Sequence, residues 1–111
     1  MRPQGRKVLG VSEQAASDAG RADPVRRAKI VNPEGLHARP CHAIVSLTRE
    51  FAAGLRIRKG TKEVNGRSIL ELITLSASQG DELEFRATGV DAVELLDALC
   101  ALFAAGFVEK K

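Results

Sequence analysis

Apolar and polar positions along this chain alternate between two spacings. From Val25 to Val31, Ala28 and Ile30 alternate in part with charged neighbours and predict a strand. Asn32-Pro33-Glu34-Gly35 is turn chemistry. A helix is expected from about Ala38 to Phe51, with Cys41, Ile44, Val45, Thr48 and Phe51 on one face and Gly54 beyond its end. Leu55-Arg56-Ile57-Arg58 alternates strictly and predicts a strand with one wet face, and after a turn at Gly60 a short strand spans Lys62 to Val64. Ser68 to Ser78 reads as a helix carrying Ile69, Leu70, Leu72, Ile73 and Leu75, opened by the capping-box pattern Ser68-Ile69-Leu70-Glu71. Gln79-Gly80-Asp81 is a turn, after which Leu83, Phe85 and Ala87 alternate with Glu82, Glu84 and Arg86. The last helix is expected from about Asp91 to Ala105, with Val93, Leu96, Leu99, Cys100 and Phe103 facing inward and Gly106 at C′. The order is β-α-β-β-α-β-α. Half-polar strands in that order predict an α+β fold, an antiparallel sheet with helices on one face and solvent on the other.

Charge divides the chain. Residues 1–29 hold seven Lys/Arg against three Asp/Glu, whereas residues 30–111 hold ten against eleven. The basic character therefore belongs to the N-terminal stretch. Residues 1–24 show no sustained period and read as a flexible basic extension, with residues 25–111 as the folded domain. A nearly neutral domain argues against nucleic acid as the partner, which would favour a basic face on the fold itself. The longest nearly apolar run, Ala98 to Val108, is too short to span a bilayer. The N-terminus lacks the apolar stretch of a signal peptide. Cys41 and Cys100 lie in apolar helical patterns and read as reduced, buried thiols of a cytoplasmic protein, although the sequence leaves a disulfide between them open.

The candidate chemistry sits at Gly35-Leu36-His37-Ala38-Arg39-Pro40. It places an imidazole where a helix begins and an arginine two residues later. A helix start carries unpaired N–H groups and partial positive charge, so an anion there meets the amides of Ala38 and Arg39 and the Arg39 guanidinium together. A neutral imidazole has one nitrogen free as a nucleophile. Once it accepts a phosphoryl group, preorganised donors would stabilise the new charge. On the hexapeptide alone, a surface or cap histidine is the commoner reading. Pro40 fits a helix only in its first turn, and it leaves Arg39 with a restricted backbone. His42 follows His37 by five residues, off its helix face, so the pair does not suit a metal, and no zinc-type cluster or cofactor motif occurs. No complete catalytic apparatus is visible. A nucleophile without one suggests a protein that other enzymes load and unload, a phosphoryl-transfer intermediate rather than a free-standing enzyme. Ser68 reads first as an N-cap, with a regulatory phosphoserine as the alternative.

These residues resemble a known family. Gly35 to Pro40 is similar to the active-site signature of HPr, the histidine-containing phosphocarrier of the bacterial phosphoenolpyruvate-dependent phosphotransferase system. Arg67-Ser68-Ile69-Leu70-Glu71-Leu72-Ile73-Thr74-Leu75 resembles the second signature, around the family's regulatory serine. Gln79-Gly80-Asp81 and the stretch from Ala101 to Phe107 fit as well, the last being similar to the nitrogen-related branch. The resemblance spans about residues 25 to 110. It implies an open-faced β-sandwich of four antiparallel strands with three helices on one face. It implies that His37 takes a phosphoryl group on Nδ1 from enzyme I and delivers it to a IIA-type protein or domain, with Arg39 assisting, in sugar uptake or in nitrogen or carbon regulation. It also implies partner contacts at His42, Arg49, Ile69, Leu70 and Ile73. No cofactor and no metal are expected, and the protein is expected to be a cytoplasmic monomer. Ser68 would be the target of a serine kinase/phosphorylase, although Glu71 three residues on would repel a phosphate there. The sequence departs from the family in residues 1–24, in Cys41 after Pro40, and in Glu71. The competing function class is a non-transferring regulatory module of the same fold, against which the presence of His37 argues. A third class is nucleic-acid binding by the basic extension.

Overall fold

The computed structural model describes residues 23–107. The extension expected over residues 1–24 lies outside them except for Asp23 and Pro24. Those two already touch the sheet: the Ala87 N–H donates to the Pro24 carbonyl (3.3 Å), and the Thr88 hydroxyl donates to Asp23 (2.8 Å).

Four strands, β1 (Val25–Lys29), β2 (Gly54–Lys59), β3 (Lys62–Asn65) and β4 (Glu82–Thr88), form one antiparallel sheet in the order β1-β4-β2-β3. Three helices, α1 (Ala38–Thr48), α2 (Ile69–Ile73) and α3 (Ala92–Ala104), complete an α+β open-faced sandwich. The alternation in β4 and β2 aims Leu83, Phe85, Ala87, Leu55 and Ile57 into the core, where all are buried. There α3 lies over β1 and β4, α2 packs against β3, and α1 packs against both other helices. Phe85 and Phe103 meet with ring centroids 4.9 Å apart, and Phe107 joins Phe103 at 4.7 Å.

The end of α3 follows its residues closely. Gly106 (φ +67°) stands at C′, its N–H donates to Phe103, and the Phe107 N–H donates to Leu102, the paired bonds of a Schellman motif. Elsewhere the structure corrects the expected limits. Strand β1 stops at Lys29 rather than Val31, because Ile30 turns to bond Asp81 and Gly80 in the neighbouring loop. Helix α1 stops at Thr48 rather than Phe51: the buried Thr48 hydroxyl donates to the Val45 carbonyl (2.7 Å), and the next residues tighten into i→i−3 bonds. Beyond them the Asp91 carboxylate takes the N–H groups of Ala52 (2.9 Å) and Ala53 (2.8 Å).

Helix α2 is the largest correction. It ends at Ile73, not Ser78. The Thr74 hydroxyl donates to the Glu71 carbonyl (2.6 Å), residues 74–76 tighten into i→i−3 bonds, and Ser76 enters the left-handed region (φ +51°). In α3, Val93 is exposed and Cys100 only half-buried, and Leu95 takes the inward place expected of Val93. Cys41 is buried as expected, and both thiols are free.

Candidate phosphoryl-acceptor site

The turn before α1 sets the site. Gly35 adopts φ +71°, and a Cβ there would lie 2.5 Å from the Ala77 carbonyl oxygen. Only glycine suits both the dihedral and the space. The same Ala77 carbonyl accepts the Leu36 N–H (2.9 Å), and the buried Leu36 side chain anchors the turn in the core. The reversal at Ser76 that shortens α2 is what brings the Ala77 carbonyl to this turn. Asn32 closes the turn from the other side, where its carbonyl accepts the Gly35 N–H (3.1 Å) and its side-chain amide donates to the Gly35 carbonyl (2.7 Å). That Gly35 carbonyl also accepts the His37 N–H (3.2 Å), so two donors hold the Gly35–Leu36 peptide, one step before His37. The sequence marks Asn32 only as a turn former; its two bonds to Gly35 give it the further role of fixing the segment before His37.

His37 is exposed, extended (φ −103°, ψ −166°), and the N-cap of α1, and its carbonyl accepts the Cys41 N–H (3.1 Å). Its side chain caps nothing. Among the described residues, neither Ala38 nor Arg39 donates its N–H to a protein acceptor, and no acidic residue stands in the first turn. Arg39 is exposed on that turn, while Pro40 is buried beneath it, where its missing N–H costs no helical bond. Burial pushes the Cys41 thiol up to about 11, so it stays protonated at neutral pH.

An open groove between α1 and α3 runs from this start. His37, Arg39, His42, Ala43 and Leu47 line one side, and Ala101, Leu102 and Phe107 the other. The structure thus joins His42 to the same surface as His37 and Arg39. The other expected partner contacts lie apart from this groove: Arg49 is exposed at the far end of α1, and Ile69, Leu70 and Ile73 sit on α2, with Leu70 79% exposed. Ser68 caps α2, its hydroxyl accepting the Glu71 N–H (3.2 Å). The reciprocal half of the expected capping box is absent, because the Glu71 carboxylate accepts the Asn65 N–H (2.8 Å) instead of that of Ser68. Among the described residues, no cluster of His, Cys, Asp and Glu is arranged to hold a metal.

Residues 25–105 match the PTS-HPr family model, the PTS HPr component phosphorylation site. The phosphocarrier protein NPr of Proteus mirabilis is 34% identical over 85 residues, which cover 76% of this chain and 94% of that one. The multiphosphoryl transfer protein of Escherichia coli O157:H7 is 37% identical over 98 residues, and this chain spans only 26% of its length. A crystal structure of HPr-C-His from Thermoanaerobacter tengcongensis superposes with a TM-score of 0.74 at 33% identity, covering 79% of this chain and 99% of that one.

Proposed function

Because this chain belongs to the HPr family of phosphotransferase-system phosphocarriers, we propose that His37 is its phosphoryl acceptor, loaded by phosphorylated enzyme I and discharged to a IIA-type protein. The Nδ1 lone pair attacks phosphorus, the bond from phosphorus to the donor breaks, and the donor leaves with that electron pair. The phosphoryl charge then rests against the N–H groups of Ala38 and Arg39 and the Arg39 guanidinium. Donors that stand ready before the reaction need no reorganisation when charge arrives. Discharge is the reverse displacement, with the acceptor's nucleophile taking the phosphorus.

The observation that carries this reading is the open start of α1: an exposed histidine, two amides without a protein acceptor, and no carboxylate in the first turn. The partners dock on the surface formed by α1 and α2, through His42 and Arg49 from α1 and its C-cap and Leu70, Ile73 and the half-buried Ile69 from α2. Exposed apolar residues beside a charged centre suit a transient interface. Ser68 lies at the edge of that face, where a kinase-added phosphate would hinder loading. Among the described residues no helix is long and apolar enough to cross a membrane.

Phosphoenolpyruvate and enzyme I should label the full chain with an acid-labile phosphate. His37→Ala should abolish the label and His42→Ala should retain it. Undiminished labelling of His37→Ala would overturn the assignment.

A further inference from the structure

The face of the sheet turned away from the helices has no covering element among the described residues. It presents Arg27 and Lys29 from β1, Glu82, Glu84 and Arg86 from β4, Arg56 and Arg58 from β2, and Glu63 from β3. Cations outnumber carboxylates here, although residues 30–111 as a whole carry one more acidic than basic residue. Across the four strands one row reads Arg27, Glu84, Arg58, Glu63 and alternates in sign. The next row reads Val25, Arg86, Arg56, Asn65, so two arginines stand directly opposite each other, and the one carboxylate that reaches both is Glu63 of the adjoining row. Like charges in that position oppose sheet formation.

The face's own carboxylates do not saturate its guanidinium groups. Glu84 pairs with Arg58 and with Arg27 (3.4 Å), and Glu63 pairs with Arg56 (3.0 Å) and only distantly with Arg86 (3.9 Å). Four guanidiniums, each with five N–H donors, share two carboxylates. The side chains of Arg56 and Arg86 remain 49% and 45% exposed.

We propose that this face docks an acidic protein segment whose carboxylates enter the row at Arg56 and Arg86. Carboxylates are the groups these guanidiniums already bind, and the planar guanidinium fork matches them. The large exposed apolar residues, Val31, Leu70, Ile73, Val90 and Val93, all lie off the strands, so the face offers nothing to insert into a lipid layer. It also lacks the aromatic side chains on which single-stranded bases stack. The sheet separates this surface from the helices, so an acidic partner would leave His37 accessible. The inference is independent of the role assigned to His37.

The test is an amide-shift titration of the full chain with poly-L-glutamate at low salt, with oligo-dT as the competing probe. Shifts should map to 54–58, 63 and 82–88 and fade as salt rises. Arg56→Ala/Arg86→Ala should weaken poly-L-glutamate binding at least about fivefold, leave phosphoryl transfer unchanged, and leave the thermal midpoint unchanged or raised. Should the double variant fold poorly, Arg86→Thr alone should act in the same direction. Shifts confined to residues 1–22 or to the helices, unchanged affinity in Arg86→Thr, a lowered midpoint in that variant, or tighter oligo-dT binding at the same strands would each overturn the proposal.

Discussion

Two of the three helices begin at a residue with a nucleophilic side chain, and the two starts are built in opposite ways. At α2, Ser68 turns its hydroxyl back onto the Glu71 N–H, and Glu71 brings a carboxylate into the first turn. The positive end of that helix is met by groups the chain itself supplies. At α1, His37 caps nothing, the first turn contains Arg39 and no acid, and the amides of Ala38 and Arg39 find no acceptor among the described residues. Each helix start attracts negative charge. One is satisfied by the chain itself, whereas the other stays open, as the proposed phosphoryl acceptor requires. On that proposal this contrast, more than the presence of either nucleophile, would separate a carrier site from a capped helix.

Gly35→Ala breaks the comparison most severely, because it forces a Cβ against the Ala77 carbonyl at a positive φ. It should cost about 1–3 kcal/mol in stability and shift the start of α1, which chemical denaturation and the amide spectrum of residues 35–41 would reveal. Arg39→Ala removes a charged donor from the open start while leaving the core untouched. Transfer should slow about 10- to 100-fold, the worth of hydrogen bonds to a charged group, with stability changed by less than about 1 kcal/mol. Stopped-time labelling beside a denaturant titration separates the two effects. Normal transfer would show that the helix end alone suffices.

Ser68 sharpens the comparison from the closed side. Ser68→Ala should lose about 1 kcal/mol by removing the cap. Ser68→Asp should keep the fold, since Asp also caps, yet reduce transfer from enzyme I to His37 by adding charge beside Ile69, Leu70 and Ile73. Wild-type transfer in Ser68→Asp would leave the residue as a cap alone.

The contrast was half legible in the sequence. Gly35, His37, Arg39 and Pro40 are close enough in the chain to mark a turn and a helix start, and the structure builds both there. The length of α2 was not legible. Its apolar spacing continues through Leu75, which stays buried, but the Thr74 hydroxyl and the reversal at Ser76 end the helix so that Ala77 can bond Leu36. That requirement comes from a partner 41 residues away. Val93 and Leu95 were exchanged for a related reason: α3 is apolar on more than one face, and only packing on β1 and β4 chooses between them. The Asp91 bonds to Ala52 and Ala53 likewise join segments that no local pattern connects.

The smallest expected effect distinguishes the helix starts from the sheet. Hydrogen bonding from Arg58 holds the Glu84 carboxyl below its ordinary value of 4.5. A carboxyl lowered on folding contributes stability that is complete above the ordinary value and is lost as pH falls through the lower folded value. Glu84→Gln should therefore be less stable than the wild type at neutral pH, and the gap should narrow below about pH 4. An equal gap at every pH would place the source of acid sensitivity elsewhere.

The central claim is that the start of α1, and not that of α2, receives the phosphoryl group. Amide spectra recorded before and after loading by phosphoenolpyruvate and enzyme I test it directly. The largest shifts should fall on Ala38 and Arg39, with Ile69 to Glu71 little changed and no response in His37→Ala. A loaded protein whose Ala38 and Arg39 amides do not move would contradict it.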